Sequence, residues 1–400
     1  MMFLKLALVF AIIIVLLACK RPLWQAILGG LAATAVCYQI HPSDMARLTR
    51  KVLTGWSSLS VLLSLYLITF LQRTLEARSQ IRRAQEDLNG LFHNRRINII
   101  GACLFIGLLP SAASMLLCAE LVKNATDEYL EPKEQAFVSS WLRHIPESVL
   151  PTYTAVLLML SLSGVETAKF MAGMVVPVLF LGGLGYFVYL RRIPTDVDTP
   201  ASKNRWADFC HLIGHLWSLL LILVLILGFH FEVVTAVLVS ILLSIFVYHV
   251  TISELKQFFF SAFEKKMLGN TFLVLVLKEF LSFTGVLPQL PEVLAKLPLP
   301  TYLIFGLLFF LATIISGSTA TIAMGTPLAF ASIPGGAPLM VYLMCMAHAA
   351  SQLSPTHVCL VVASDYFHIT LGDLVRKTLP MSITFCVLIT VYYNILVLIL

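Results

Sequence analysis

Leu150-Pro151-Thr152-Tyr153 and Ser354-Pro355-Thr356-His357 each interrupt a long apolar run, and the two interruptions correspond. Their prolines are 204 residues apart, as are His144 and His348, which stand seven residues ahead of them. Half of a 400-residue chain is about that length. Proline cannot continue a helix and pushes the residue before it into extended backbone, so each stretch predicts a helix broken in mid-run. Unwound backbone at membrane depth is tolerated only where it lines a cavity. Matched interruptions in two halves of a chain therefore point to the binding site of a secondary transporter.

Composition supports the membrane setting. Hydrophobic residues make up 59% of the chain, charged residues 12%, and the mean hydropathy is +0.90, which is more apolar surface than a soluble core can bury. The net charge of +6 sits largely in loops, where Lys and Arg set topology and meet anionic lipid, so nucleic-acid binding is not implied. The eight cysteines lie in or beside apolar segments with no C-x-x-C spacing and read as small core hydrophobes, with no metal site expected. The apolar stretch from Phe3 to Cys19 has no small-x-small cleavage site and runs into Lys20-Arg21 and a second apolar stretch, as a retained first span would.

About 20 apolar residues per crossing places spans near 3–19, 23–40, 54–72, 135–163, 168–190, 208–228, 231–250, 269–286, 339–369 and 379–398. Two apolar stretches, 97–121 and 301–330, break near the middle at Pro110-Ser111-Ala112-Ala113-Ser114 and Ser316-Gly317-Ser318-Thr319-Ala320-Thr321. An arm of about 13 residues reaches only about 20 Å, so each is expected to be a re-entrant hairpin. Further matches run along the chain: Phe70-Leu71 with Phe280-Leu281 at an offset of 210, and the hairpin tips Ser111 and Ser318 at 207. The expected fold is an all-α polytopic membrane protein with an N-terminal repeat at 1–200 and a C-terminal repeat at 201–400. Each repeat has five transmembrane helices and one hairpin, with the broken helix, 135–163 or 339–369, at the midplane. An odd number of crossings forces the second repeat to enter upside down.

Loop charge agrees. The loop after the third span holds Arg73, Arg78, Arg82, Arg83, Arg95 and Arg96, whereas its repeat-mate holds Glu292 and Lys296. Arg191, Arg192, Lys203 and Arg205, then Lys256, Lys265 and Lys266, then Arg376 and Lys377 fall on the side of the first loop. By the positive-inside rule that side is cytoplasmic and both termini lie outside an inner membrane. Arg47, Arg50 and Lys51 then fall outside and are assigned to an amphipathic interfacial segment.

The stretch Ser351-Gln-Leu-Ser-Pro-Thr-His-Val-Cys-Leu-Val-Val-Ala-Ser-Asp-Tyr-Phe367 resembles a signature of the domain-of-unknown-function family 401. So do Trp141-Leu-Arg-His-Ile-Pro-Glu147 followed by Leu150-Pro151, and Gly107-Leu-Leu-Pro110. The resemblance spans nearly the whole chain. It implies the ion transporter superfamily of gluconate, citrate and divalent-anion carriers: two inverted repeats, two hairpins, a homodimer and elevator-type movement. After Pro110 this chain has Ser-Ala-Ala-Ser-Met where that family usually runs Met-Pro-Gly-Gly-Ala, and neither hairpin has the Ser-Asn-Thr triplet of sodium-coupled dicarboxylate carriers.

Half-helix N-termini at hairpin tips and helix breaks suit a carboxylate or another oxyanion. Ser111, Ser114, Thr152, Ser318, Thr319, Thr321 and Thr356 add hydroxyls, and His357 stands beside the second break. Their alternative role is helix packing, for which small hydroxylated residues are also used. Arg143 is the candidate anion anchor, placed at i,i+4 from Glu147, with a structural ion pair as the alternative. His144, Glu147, His348 and Asp365 are the candidate coupling-ion or proton residues, His because its unperturbed pKa lies near working pH. Lys278-Glu279 is expected to form an internal scaffold pair. His211 and His215 lack a third ligand and are expected at the interface.

The expected function is secondary transport of a small organic anion, coupled to H⁺ or Na⁺, with no cofactor and with the lipid bilayer as the other partner. The alternatives are an inorganic-ion or cation/proton antiporter, a channel, or an intramembrane enzyme. The last is disfavoured because no H-E-x-x-H or comparable catalytic spacing occurs, and primary active transport because no G-x-x-x-x-G-K-[ST] loop occurs.

Overall fold

In a computed structural model the described residues are 2–19, 21–80, 83, 94–108, 113–196, 204–286 and 298–399, and they are helical nearly throughout. The first half runs α1 (Met2–Ala18), α2 (Leu23–Cys37), α3 (Pro42–Thr54), α4 (Trp56–Ala77), α5 (Arg95–Ile106), α6 (Ala113–Thr126), α7 (Pro132–Arg143), α8 (Ile145–Val149), α9 (Thr154–Ser163) and α10 (Thr167–Val188). The second runs α11 (Arg205–Leu227), α12 (Val233–Val247), α13 (Ile252–Ser261), α14 (Lys265–Phe283), α15 (Thr301–Ser316), α16 (Ser318–Ser332), α17 (Gly336–Ser351), α18 (Val358–Tyr366) and α19 (Leu371–Ile399). Trp56–Ala77, Pro132–Ser163, Thr167–Val188, Trp206–Leu227 and Leu371–Ile399 are each long and apolar enough to cross a membrane.

The element order repeats, and so do the backbone turns between elements. Left-handed residues occur at Gln39 and His249, 210 apart, at Ser79 and Gly285, 206 apart, and at Gly164 and His368, 204 apart. These offsets drift as the sequence matches do. The first pair also corrects two spans. The expected 23–40 and 231–250 are cut to 15 residues each, about 22 Å of helix, because the chain turns at Gln39 and His249 into short polar-faced helices. One of these, α3, carries Arg47, Arg50 and Lys51 as an amphipathic helix should, with Asp44 in its first turn and Lys51 in its last to match the helix dipole. Its counterpart α13 begins with a Thr251/Glu254 capping box.

Packing sorts the helices into two groups. α4, α11, α12 and α13 bury Leu65, Leu71, Ile222, Val237 and Phe258 against one another, and α14 packs on α2, α3 and α4. The hairpins α5–α6 and α15–α16 and the broken helices α7–α9 and α17–α18 form the other group, flanked by α10 and α19. Within it the halves are exchanged: α6 packs on α18, and α16 packs on α9. Across the first hairpin, the buried thiols of Cys103 and Cys118 touch at 3.0 Å.

The basic segments expected on one side are tied down by ion pairs and hydrogen bonds. Arg73 and Arg78 pair with Glu264 and Glu254 at 3.2 and 2.7 Å. The Arg95 amide and the Arg96 side chain bond the carbonyls of Thr195 and Ile193, and Arg192 and Lys377 meet on Glu134. Gln80, following α4, meets His215 at 2.8 Å. Arg82, Lys203, Glu292 and Lys296 lie outside the described residues.

Lys278 and Glu279 do not form the expected pair. Adjacent helical residues point about 100° apart, and here Lys278 reaches the Ser161 carbonyl at 3.0 Å while Glu279 takes Lys51 at 2.7 Å. The charges tie α14 to the first broken helix on one face and to α3 on the other.

Candidate functional site

The first broken helix starts with Pro132 at its first turn and a Glu131/Glu134 capping box, and it runs buried to Arg143. Pro146 interrupts the ladder, the single turn α8 follows, and Leu150 is extended ahead of Pro151. Tyr153 restarts the helix as the cap of α9, and its hydroxyl donates to the Gly107 carbonyl at the end of α5. At the second break Ser354 donates to the Ile314 carbonyl of α15 at 2.8 Å. Gly107 and Ile314 are 207 residues apart, the spacing of the hairpin tips, so each broken helix is anchored to the equivalent carbonyl of its own hairpin.

A cavity of about 400 Å³ lies where these pieces meet. Its polar wall includes Arg143, Glu147, Thr152, Ser318, Thr319 and His357, and α4 and the start of α14 close it from the other group of helices. That volume is of the size that small-molecule sites use. Three helices begin at the wall: α9 with Thr154 and Ala155, α16 with Ser318 and Thr319, and α18 with Val358 and Cys359. Gly317 allows the second start, since its φ of +83° turns the chain from α15 directly into α16. The first four N–H groups of a helix have no partner within it, and they concentrate partial positive charge there.

Arg143 is 2% exposed and enters the wall from behind. Its Nε and Nη2 both donate to Ser114 Oγ, at 3.0 and 2.7 Å, and Nη1 lies 3.7 Å from the Cys359 sulfur and 3.9 Å from a Glu147 oxygen. One guanidinium thus joins the first hairpin to both broken helices. The expected Arg143–Glu147 pair is present as a loose contact. Thr152 Oγ is buried without a hydrogen-bond partner. His144 is fully buried, its ring packed edge-on against His357 at 4.6 Å between centroids, with Nε2 3.8 Å from Glu147.

Of the residues singled out from sequence, Arg143, Glu147, Thr152, Ser318, Thr319 and His357 share this cavity. Ser114 instead holds Arg143. Thr321 donates to the Gly317 carbonyl one turn back, Thr356 is exposed and bonded to Ser354, and His348 is buried on α17. Asp365 is exposed near the end of α18. None of these five is on the cavity wall. Ser111, expected at the first hairpin's tip, lies outside the described residues. Sequence reasoning overlooked Tyr153, Cys359, Gln72 and Glu264, which line the cavity. Cys359 was discoverable from its place two residues after His357. Gln72 and Glu264 belong to helices packed across the cavity, a juxtaposition that no local pattern carries. One ligand atom from each of His144, His357 and Cys359 lies within 4.8 Å of the other two.

A family model described as protein of unknown function (DUF401) matches residues 3–397. The chain is similar to the crystal structure of the YdaH transporter from Alcanivorax borkumensis, described as having an unusual topology. The identity is 12% and the TM-score 0.50, with 90% of each chain covered, a likeness of fold. No curated protein matches the chain.

Proposed function

We propose a transport function for this chain, which belongs to the DUF401 family of proteins of unknown function: it is a secondary transporter that carries a small organic anion, a carboxylate, across the membrane. The observation that carries this reading is the meeting of three helix N-termini and Arg143 on one cavity of about 400 Å³. Backbone N–H groups and a guanidinium are the chemistry that holds a carboxylate. The two acids in the wall do not reverse the sign, because Glu147 is 3.9 Å from Arg143 and Glu264 is 3.2 Å from Arg73. Thr152, Ser318 and Thr319 supply orienting hydroxyls. The fold shared with a protein described as a transporter adds support.

In this reading the hairpins and broken helices move as one body against α1–α4 and α11–α14, driven by an H⁺ or Na⁺ gradient. The cavity lies on the boundary between those groups, as an elevator mechanism requires. A carboxylate that occupies the site should raise the melting temperature of the detergent-purified protein. At about 100 times its Kd a ligand stabilises by about 2.7 kcal/mol. A panel of carboxylates, sugar acids and inorganic oxyanions, with neutral sugars and amines as controls, should give shifts only among the anions. Shifts confined to amines would sink the anion reading.

The inverted orientation of the halves, with both termini outside, has a separate test. With exposed Cys19 and Cys210 replaced by Ser, an impermeant thiol reagent should label Leu299→Cys in intact cells and Arg83→Cys only after permeabilisation. Labelling of both from one side would remove the inversion.

A further inference from the structure

We propose that His144, His357 and Cys359 form a binding site for a divalent transition-metal ion of the zinc class, which on binding ties the two broken helices together. The inference goes beyond anion transport and does not depend on it. His144 comes from the first broken helix, at the end of α7. His357 and Cys359 come from the second, at the start of α18. Folding brings one ligand atom from each within 4.8 Å of the others. No sequence spacing announces the full set, because His144 is more than 200 residues from His357 and Cys359.

The geometry prepares both imidazoles. His144 Nδ1 lies 2.6 Å from the Ser140 carbonyl and His357 Nδ1 lies 3.1 Å from the Ser351 carbonyl. A carbonyl only accepts, so each Nδ1 carries the ring proton and each Nε2 presents its lone pair. An imidazole whose other nitrogen donates to a backbone carbonyl is the usual oriented metal ligand. His144 Nε2 is buried and has no hydrogen-bond partner. An acceptor buried without a partner is costly, and a metal ion would satisfy it. In this proposal His144 serves as a metal ligand, a role beside the coupling-ion or proton role expected from sequence.

The donor set selects the ion. Two nitrogens and a sulfur suit Zn²⁺ and its close relatives, whereas Na⁺, Mg²⁺ and Ca²⁺ prefer oxygen ligands. Zinc–ligand bonds of about 2.0–2.3 Å put tetrahedral donor atoms roughly 3.3–3.7 Å apart, so the side chains need to close by about 1 Å. Glu147, 3.8 Å from His144 Nε2, stands in reach of the fourth position. A divalent ion with the Cys359 thiolate and the Glu147 carboxylate is neutral, which explains how a cation can sit beside Arg143. The thiol proton is released to water through the cavity on binding.

Cobalt(II) reports on this site directly. Protein stripped of metal by a chelator, with Cys19 and Cys210 replaced by Ser, should bind one Co²⁺ per chain. It should show thiolate-to-cobalt charge transfer in the near ultraviolet and the visible bands of tetrahedral cobalt, and Zn²⁺ should abolish both. Cys359→Ser should lose the charge-transfer band and keep weakened visible bands. His144→Gln and His357→Gln should each weaken binding by about tenfold or more. Zn²⁺ should also raise the melting temperature of the wild type with no anion present, so that failure here and failure of the anion screen are separate results. Absence of the cobalt bands in the wild-type ligand set overturns the proposal whatever the variants do. Persistence of the charge-transfer band in Cys359→Ser places the metal on another thiolate and overturns it equally.

Discussion

Arg143→Lys is expected to weaken binding of the transported carboxylate about tenfold to a hundredfold at every pH while the protein still folds. The estimate follows from about 1.5–3 kcal/mol for a hydrogen bond to a charged group. Arg143 is held by two bonds to one hydroxyl, Nε and Nη2 on Ser114, which fixes its remaining nitrogen toward the wall, near Cys359 and Glu147. A lysine keeps the charge, but its single ammonium cannot hold Ser114 from two edges and also face the cavity. The charge is retained while its position is lost. Ser114→Ala should produce a smaller loss of the same kind, because it removes two of the guanidinium's hydrogen bonds while keeping its charge. Isothermal titration with the best carboxylate from the anion panel measures both. Wild-type affinity in Arg143→Lys would mean that Arg143 is a strut between hairpin and broken helices and that the helix termini bind the anion unaided.

Gly107→Ala is expected to destabilise the protein by about 3 kcal/mol and to abolish ligand binding. Gly107 ends α5 with ordinary helical angles, φ −65° and ψ −11°, so an alanine there has no backbone strain. The cost is steric. A Cβ would land well inside the van der Waals surface of the Arg143 carbonyl oxygen, with the Pro146 ring 3.1 Å away. Neither neighbour can swing aside, since one is backbone and the other a ring fixed at a helix break. Overpacking typically costs about 1–3 kcal/mol, and the upper end applies where the obstacle is main chain. The displaced carbonyl of Gly107 is also the acceptor for Tyr153, so the hairpin and the break should separate together. Gly182→Ala on α10, where a Cβ meets nothing within 4 Å, is the control and should be neutral or slightly stabilising. Equal melting temperatures for the two variants would show that the hairpin does not seat on this contact.

Much of this architecture is legible from residues whose meaning is local. Pro151 and Pro355 announce broken helices because proline removes a donor and clashes with the preceding turn, and the matched histidines fix the register of the repeat. Gly317 and its serine and threonine neighbours announce a hairpin tip for a similar reason. The central cavity follows from these breaks, and six of its polar residues could be named in advance. The rest depends on relations between distant helices. The exchange of hairpins between halves, which puts α6 on α18 and α16 on α9, has no signature in either segment. Ser114 looks like a ligand residue from its position near a hairpin tip, yet burial turns it toward Arg143. Lys278 and Glu279 look like a pair because they are adjacent, but a helix points neighbours in different directions. Cys359 stands two residues after His357 in the sequence, but only folding brings His144 beside them.

The central claim is that this cavity carries an anion across the membrane, and reconstitution tests it most directly. Purified protein in proteoliposomes should accumulate the radiolabelled carboxylate that stabilises it in detergent, against its concentration gradient. Uptake should saturate and should occur only while an inward or outward H⁺ or Na⁺ gradient is imposed. Replacing Thr152 and Ser318 by Val, both on the cavity wall, should reduce that uptake without preventing reconstitution. Flux that rises linearly with concentration and runs only downhill would identify a channel instead, and no flux of any stabilising anion would contradict the account.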